Sequence, residues 1–176
     1  MNLPNKLTIL RILMIPLCIL FVVLGWYTAA GIVFITAAVT DFLDGYIARK
    51  QNIVTNFGKF ADPVADKILA LCVMVVLIPA LHFPWWAVCI VAARELAVDG
   101  LRLVAVEQRI VIPAGKLGKV KTNFQFFSVL SALFLLPQLL TLTLCAIMSL
   151  LTIISGVQYF IASRDLFAFK EASPSN

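Results

Sequence analysis

The sequence predicts an all-α integral membrane protein with six transmembrane helices and both termini on the cytoplasmic side. Three observations carry that reading. Hydrophobic residues make up 62% of the chain and charged residues 13%, about half the charged share of a soluble domain. The stretches 12–40, 68–93 and 122–163 contain no Asp, Glu, Lys or Arg, and a helix needs about 20 apolar residues to cross a bilayer. The basic residues also gather on one side of the spans that these stretches define, which is the positive-inside pattern.

The first span, 6–26, closes on "GWYT", Gly25 to Thr28, where a glycine and two interfacial aromatics mark the membrane surface. The second, 28–48, runs back to Arg49 and Lys50. The third, 62–81, follows a loop expected over 49–61 and ends at "HFPWW", His82 to Trp86, where a proline and two tryptophans turn the chain into the fourth span, 85–106. A second basic loop is expected over 107–119. Spans five and six, 120–136 and 139–163, are divided by Pro137 and Gln138. The turns near 26, 83 and 138 carry no Lys or Arg, whereas Lys6, Arg49, Lys50, Lys59, Arg109, Lys116, Lys119, Lys121, Arg164 and Lys170 fall on the other side. The net charge of +5 therefore reads as topology and attraction to anionic headgroups, with no nucleic-acid partner. Residues 1–170 read as one domain and 171–176, "EASPSN", as a polar tail expected to be disordered. The first span reads as uncleaved, since its apolar run continues into further membrane-like sequence. Cys18, Cys72, Cys89 and Cys145 form no CxxC pair and read as small buried hydrophobes.

One segment breaks the apolar pattern. "DFLDGYIARKQNIVTNFGKFADPVADK", Asp41 to Lys67, holds Asp41 and Asp44 at i, i+3 and Asp62 and Asp66 at i, i+4. Each pair shares a helix face. With a short connecting loop, the two helices are expected to be antiparallel neighbours, so that the four carboxylates converge at the cytoplasmic edge. Clustered carboxylates repel one another and are costly in a membrane helix. A cation is needed to hold them. Oxygen donors without His or Cys suit Mg²⁺, Mn²⁺ or Ca²⁺, and paired ions suit phosphoryl chemistry. Gly45, Ala48 and Gly58 leave room for a ligand, Arg49 offers a bidentate phosphate grip, and Pro63 fits the first turn of a helix.

Plainer readings exist for each feature alone: an acidic pair as a solvated face, a glycine as a packing device, basic residues as membrane anchors. Arg11 reads either as a nucleotide or acceptor contact or as a side chain that snorkels to headgroups. For Arg94, inside the fourth span, the plain reading is an ion pair with Glu95 or Asp99. Eight fixed positions in order outweigh the separate plain readings.

The pattern Asp41-x-x-Asp44-Gly45-x-x-Ala48-Arg49, eight residues, Gly58-x-x-x-Asp62-x-x-x-Asp66 resembles the signature of the CDP-alcohol phosphatidyltransferase family, without a departure at any position. The six-span layout matches that family over nearly the whole chain. The flanks "NLPNKLTILRILMIP", "DPVADK", "ARE" and "GKLGKVKT" are similar to the bacterial branch that joins CDP-diacylglycerol to sn-glycerol 3-phosphate. Cardiolipin synthases share parts of them. The resemblance implies that Asp41, Asp44, Asp62 and Asp66 bind two divalent cations, Mg²⁺ or Mn²⁺, with Asp66 as the general base. It implies that Gly45, Ala48, Arg49 and Gly58 hold the CDP group, with Asn5 and Thr8 nearby. It also implies a homodimer among membrane lipids, in the cytoplasmic membrane, with the site facing the cytoplasm.

The acceptor side follows from charge. A small dianion needs cations, and Arg94, Lys119 and Lys121 are the candidates for gripping its phosphate. Two rival readings remain. One keeps the chemistry and changes the acceptor to phosphatidylglycerol, inositol phosphate or serine. The other is a cation transporter, whose acidic site would sit nearer the bilayer midplane.

Overall fold

The structure, a computed structural model, describes the backbone of residues 3–50, 56–107 and 116–164, and the side chains of 9–41, 64–65, 67–106 and 117–164. The described residues form six helices and no strand: α1 (Leu3–Val23), α2 (Tyr27–Lys50), α3 (Asn56–Leu81), α4 (Trp85–Glu107), α5 (Lys116–Leu133) and α6 (Gln138–Ala162). The number of helices is the number that the uncharged stretches and turn residues predict. The tail 171–176 lies outside the described residues.

Three tight turns reverse the chain at one end of the bundle, and each holds one residue in the left-handed region: Gly25 (φ 76), His82 (φ 53) and Leu135 (φ 53). Two of the turns use the same closure. The Trp26 and Gly25 amides donate to the Phe21 and Val22 carbonyls, and the Leu136 and Leu135 amides donate to those of Ser131 and Ala132. This is the Schellman arrangement, which satisfies the last carbonyls of a helix. Glycine fills the left-handed position without strain in the first turn, whereas leucine occupies it in the last.

Two boundaries differ from the sequence expectation. Helix α3 starts at Asn56, so Gly58 lies inside a helix and does not close a loop, and Pro63 lies past the first turn. Helix α5 is shifted toward its N-terminus, running from Lys116 and stopping at Leu133. Each extension mixes polar and apolar residues and carries at least one lysine. A helix satisfies its own backbone whatever surrounds it, so it need not stop where the apolar run stops.

Helix α1 packs against α2 and α3, α5 against α6, and α4 against α6, while α2 and α3 touch only lightly. That last point departs from the close antiparallel pair expected of the two carboxylate helices. The main core joins Cys18 and Val22 of α1, Ala30 and Phe34 of α2, Val73, Met74 and Leu77 of α3, Val91 of α4, Val129 and Leu133 of α5, and Cys145 and Met148 of α6. Helix α5 meets α6 through small polar residues, with Ser131 Oγ donating to Thr141 Oγ1 at 2.9 Å, as is common where helices pack without water. Arg102 Nε donates to Tyr159 Oη at 3.1 Å, tying α4 to α6.

The outer surface is apolar, with Leu13, Leu96, Leu103 and Leu139 all more than 60% exposed. Helix α6 alone, among the described residues, is both long and apolar enough to cross a membrane by itself; the apolar segments Ile9–Val23, Tyr27–Asp41 and Lys67–Leu81 are shorter. The cysteines divide: Cys18 and Cys145 are buried as expected, Cys72 is partly buried, and Cys89 is exposed on the apolar exterior.

Candidate active site

The site is built at the end of the bundle opposite the three turns. Arg11 in α1 is completely buried, and its Nη2 donates to Asp41 Oδ1 of α2 at 2.8 Å. Snorkelling is therefore excluded for Arg11: its guanidinium turns inward, where the carboxylate offsets part of its desolvation. Asp41 keeps 37% of its side chain exposed and faces a cavity. Asp44, Gly45, Ala48 and Arg49 follow in the last turns of α2, Gly58, Asp62 and Asp66 occupy the first half of α3, and Asn5 and Thr8 lie in the first turns of α1. The side chains of these nine residues, and that of Lys116, lie outside the described ones. The backbone still holds Asp41 and Asp44 within one turn of α2, and Asp62 and Asp66 one turn apart on α3.

The second part of the site is a cluster of five charges on three helices. Glu95 of α4 is its centre. Its Oε1 accepts from Arg94 Nη1 at 3.2 Å and from Lys121 Nζ of α5, and its Oε2 lies 3.3 Å from Lys67 Nζ of α3. Lys67 also donates to Asp99 of α4. Arg94 and Lys121, both expected to grip an acceptor phosphate, thus meet at one carboxylate oxygen. Lys119 is exposed and lies outside the cluster, and Lys67, which adjoins Asp66 in sequence, takes part instead. Of the two plain partners for Arg94, Glu95 is the one used. Arg94 is threaded between two glycines: a Cβ on Gly156 of α6 would lie 3.3 Å from its Cγ, and one on Gly118 of α5 would lie 3.6 Å from its Nη2.

Between these two groups lies a cavity of about 360 Å³, within the range of small-ligand sites. It occupies the space that α2 and α3 leave open. It is lined by the apolar Phe34, Ala37, Leu69, Leu71 and Phe126 and by the polar Asp41, Lys67, Glu95, Thr122 and Gln125. A lining that is part apolar and part charged suits an amphiphile that also carries phosphate. Sequence reasoning missed the central role of Glu95. An acidic residue inside a span is itself a signal, but the partners that explain it lie 26 and 28 positions away in the chain.

The donor set fits a hard divalent cation. Asp41 presents a half-open carboxylate to the cavity, and the other three signature positions also carry carboxylates. Among the described side chains no three His, Cys, Asp or Glu residues converge to hold a metal, and Asp44, Asp62 and Asp66 are not among those side chains.

Fold, acidic signature and cavity together define a class, and the comparisons agree with it. Residues 1–163 match the family model of the CDP-alcohol phosphatidyltransferases. The chain belongs to that family and is an enzyme of that type. More narrowly, it is similar to a Bacillus subtilis (strain 168) protein named CDP-diacylglycerol–glycerol-3-phosphate 3-phosphatidyltransferase, at 41% identity over a 194-residue alignment covering 98% of this chain and 99% of the relative. A Rickettsia felis protein of the same name is 40% identical over 177 residues, covering 94% of this chain and 97% of its own.

Proposed function

We propose that this chain transfers the phosphatidyl group of CDP-diacylglycerol to sn-glycerol 3-phosphate, giving phosphatidylglycerophosphate and CMP. The observation that carries this reading is one cavity lined both by the first signature carboxylate, Asp41, and by Glu95 and Lys67 of the charge cluster. One part suits a metal-bound pyrophosphate and the other a phosphorylated acceptor. The names of the relatives support the same substrates.

Asp41, Asp44, Asp62 and Asp66 would hold two Mg²⁺ or Mn²⁺ ions. When bound, the ions supply positive charge to the pyrophosphate and its leaving phosphate. Asp66 takes the proton from the acceptor hydroxyl. The acceptor oxygen then bonds to the lipid-side phosphorus, and the bond from that phosphorus to the bridging oxygen breaks, releasing CMP. Gly45, Ala48 and Gly58 leave room for the cytidine diphosphate, Arg49 grips it, and Asn5 and Thr8 approach it from α1. Arg94 and Lys121 hold the acceptor phosphate, and Lys119, exposed on the same helix as Lys121, draws the dianion in.

The six helices all span the membrane in this reading, with both termini and the site on the cytoplasmic side and the chain a homodimer. The support is the basic end set against the bare turns at 24–26, 82–84 and 134–137. Thiol-reactive label applied from one side to single-cysteine variants of the turns and of the 51–55 segment tests the orientation.

The reaction is tested by CMP release from the purified protein in detergent with CDP-diacylglycerol and Mg²⁺. Release that needs sn-glycerol 3-phosphate and is lost in Asp66→Asn is the expected result. Release only with phosphatidylglycerol would make the protein a cardiolipin synthase. No release with any alcohol acceptor from folded protein would overturn the reading.

A further inference from the structure

Glu95 lines the cavity, but two of the cations it binds do not. Arg94 and Lys121 lie behind the carboxylate, and Lys121 is only 3% exposed. Arg94 Nε is buried and donates to no protein acceptor, which leaves a spare donor beside a group already surrounded by positive charge. Around this one carboxylate stand three cations: Lys67, Arg94 and Lys121. Asp99 relieves only Lys67. The cluster is therefore positive even with both carboxylates ionised, and its anion position is occupied by a group with a single charge and two oxygens.

We infer that Glu95 is a resident counter-anion, standing where the acceptor's phosphate binds and giving way to it. This rests on the reading of the acceptor as a phosphorylated alcohol. A phosphate dianion brings twice the charge and three oxygens to the same cations, and it can use the idle Arg94 Nε. Glu95 is a flexible side chain beside an open cavity, so it has room to rotate away. An uncharged alcohol cannot replace the ion pairs that moving Glu95 would break. Glu95 thereby makes the site selective: it offsets part of the charge of the buried Lys121 and the partly buried Arg94 between turnovers and admits only an acceptor that takes over that task. Selectivity comes from the penalty on the wrong partner as much as from attraction of the right one.

The test uses the full chain in detergent, with inorganic phosphate as the probe. Thermal unfolding is followed across a phosphate titration for the wild type and for Glu95→Gln. The half-saturating phosphate concentration is expected to fall about three- to fivefold in the variant, the size of one partly screened ion pair. The KM for sn-glycerol 3-phosphate falls with it. Should Glu95→Gln not fold, Glu95→Asp, whose shorter side chain reaches the cations less well, is expected to move both quantities in the same direction by less. Unchanged or weaker phosphate binding, with a raised KM, would show that Glu95 only props up the cations and would overturn the inference. The phosphate titration needs no turnover. Wild-type protein inactive toward sn-glycerol 3-phosphate would defeat the functional reading alone.

Discussion

Arg11 and Asp41 join the first two helices through an ion pair 2.8 Å long, in which the arginine is entirely buried and the aspartate opens on the cavity. The first carboxylate of the signature is thus oriented by a residue 30 positions earlier, on a different helix. Removing the guanidinium leaves the carboxylate without that partner. The usual cost of breaking a buried pair is discounted here because Asp41 is partly exposed, leaving about 1–3 kcal/mol. Arg11→Met is expected to lower the unfolding temperature in detergent and to cut CMP release at least about tenfold. Arg11→Lys, which keeps the charge without the planar fork, should fall between. An unaltered melting temperature and rate in Arg11→Met would remove the pair from both roles.

Divalent ions are the second point of attack. Chelation of the purified protein should abolish CMP release, and added Mg²⁺ or Mn²⁺ should restore it. In Asp41→Asn, the Mg²⁺ concentration for half-maximal activity is expected to rise by at least about tenfold. Activity that persists through exhaustive chelation would contradict the proposed metal role of the signature.

Lys121 supplies a test of the acceptor grip that leaves the nucleotide side alone. Lys121→Met keeps the length of the side chain and removes its charge. The KM for sn-glycerol 3-phosphate is expected to rise roughly tenfold, while the KM for CDP-diacylglycerol stays within about twofold. Steady-state kinetics with each substrate varied in turn separates the two. A matched rise in both constants would point to a general loss of structure.

Two glycines should respond in opposite directions. A Cβ on Gly31 would lie 3.1 Å from two ring atoms of Phe134, whereas one on Gly100 would meet nothing within 4 Å. The ring lies just past the end of α5 and must shift by a few tenths of an ångström to make room. Gly31→Ala is expected to cost about 1–2 kcal/mol through overpacking. Gly100→Ala should gain about 0.5–1 kcal/mol from helix propensity. Thermal unfolding of the two variants side by side measures the contrast.

The six helices were legible because uncharged runs and the breaks "GWYT", "HFPWW" and Pro137-Gln138 are local signals. The early start of α3 was not. "NFGKF" read as loop and Pro63 as a first-turn residue, because hydropathy reports where the apolar run begins and not where backbone hydrogen bonding begins. The register between helices was equally hidden. Spacing puts Asp41 and Asp44 on one face, but no pattern in the chain says that Arg11 turns inward or that Lys67 and Lys121 meet at Glu95. Those contacts depend on how far one helix slides along another. Arg94 and Lys121 were legible by charge, and Glu95 as one partner open to Arg94; that the two cations share it was not.

The two ends of this bundle are chemically unlike, with bare turns at one and the ion pairs of the described residues toward the other. With the proposed topology, the enzyme makes its lipid on one side only. The new headgroup carries phosphate charge, and passing charge through hydrocarbon costs several kcal/mol. In the proposed reaction each turnover exchanges one diacyl lipid for another, so both acyl chains stay in the leaflet where CDP-diacylglycerol lay and only the headgroup changes. The lipid count of that leaflet is unchanged, and the product reaches the opposite leaflet only through a separate flipping step.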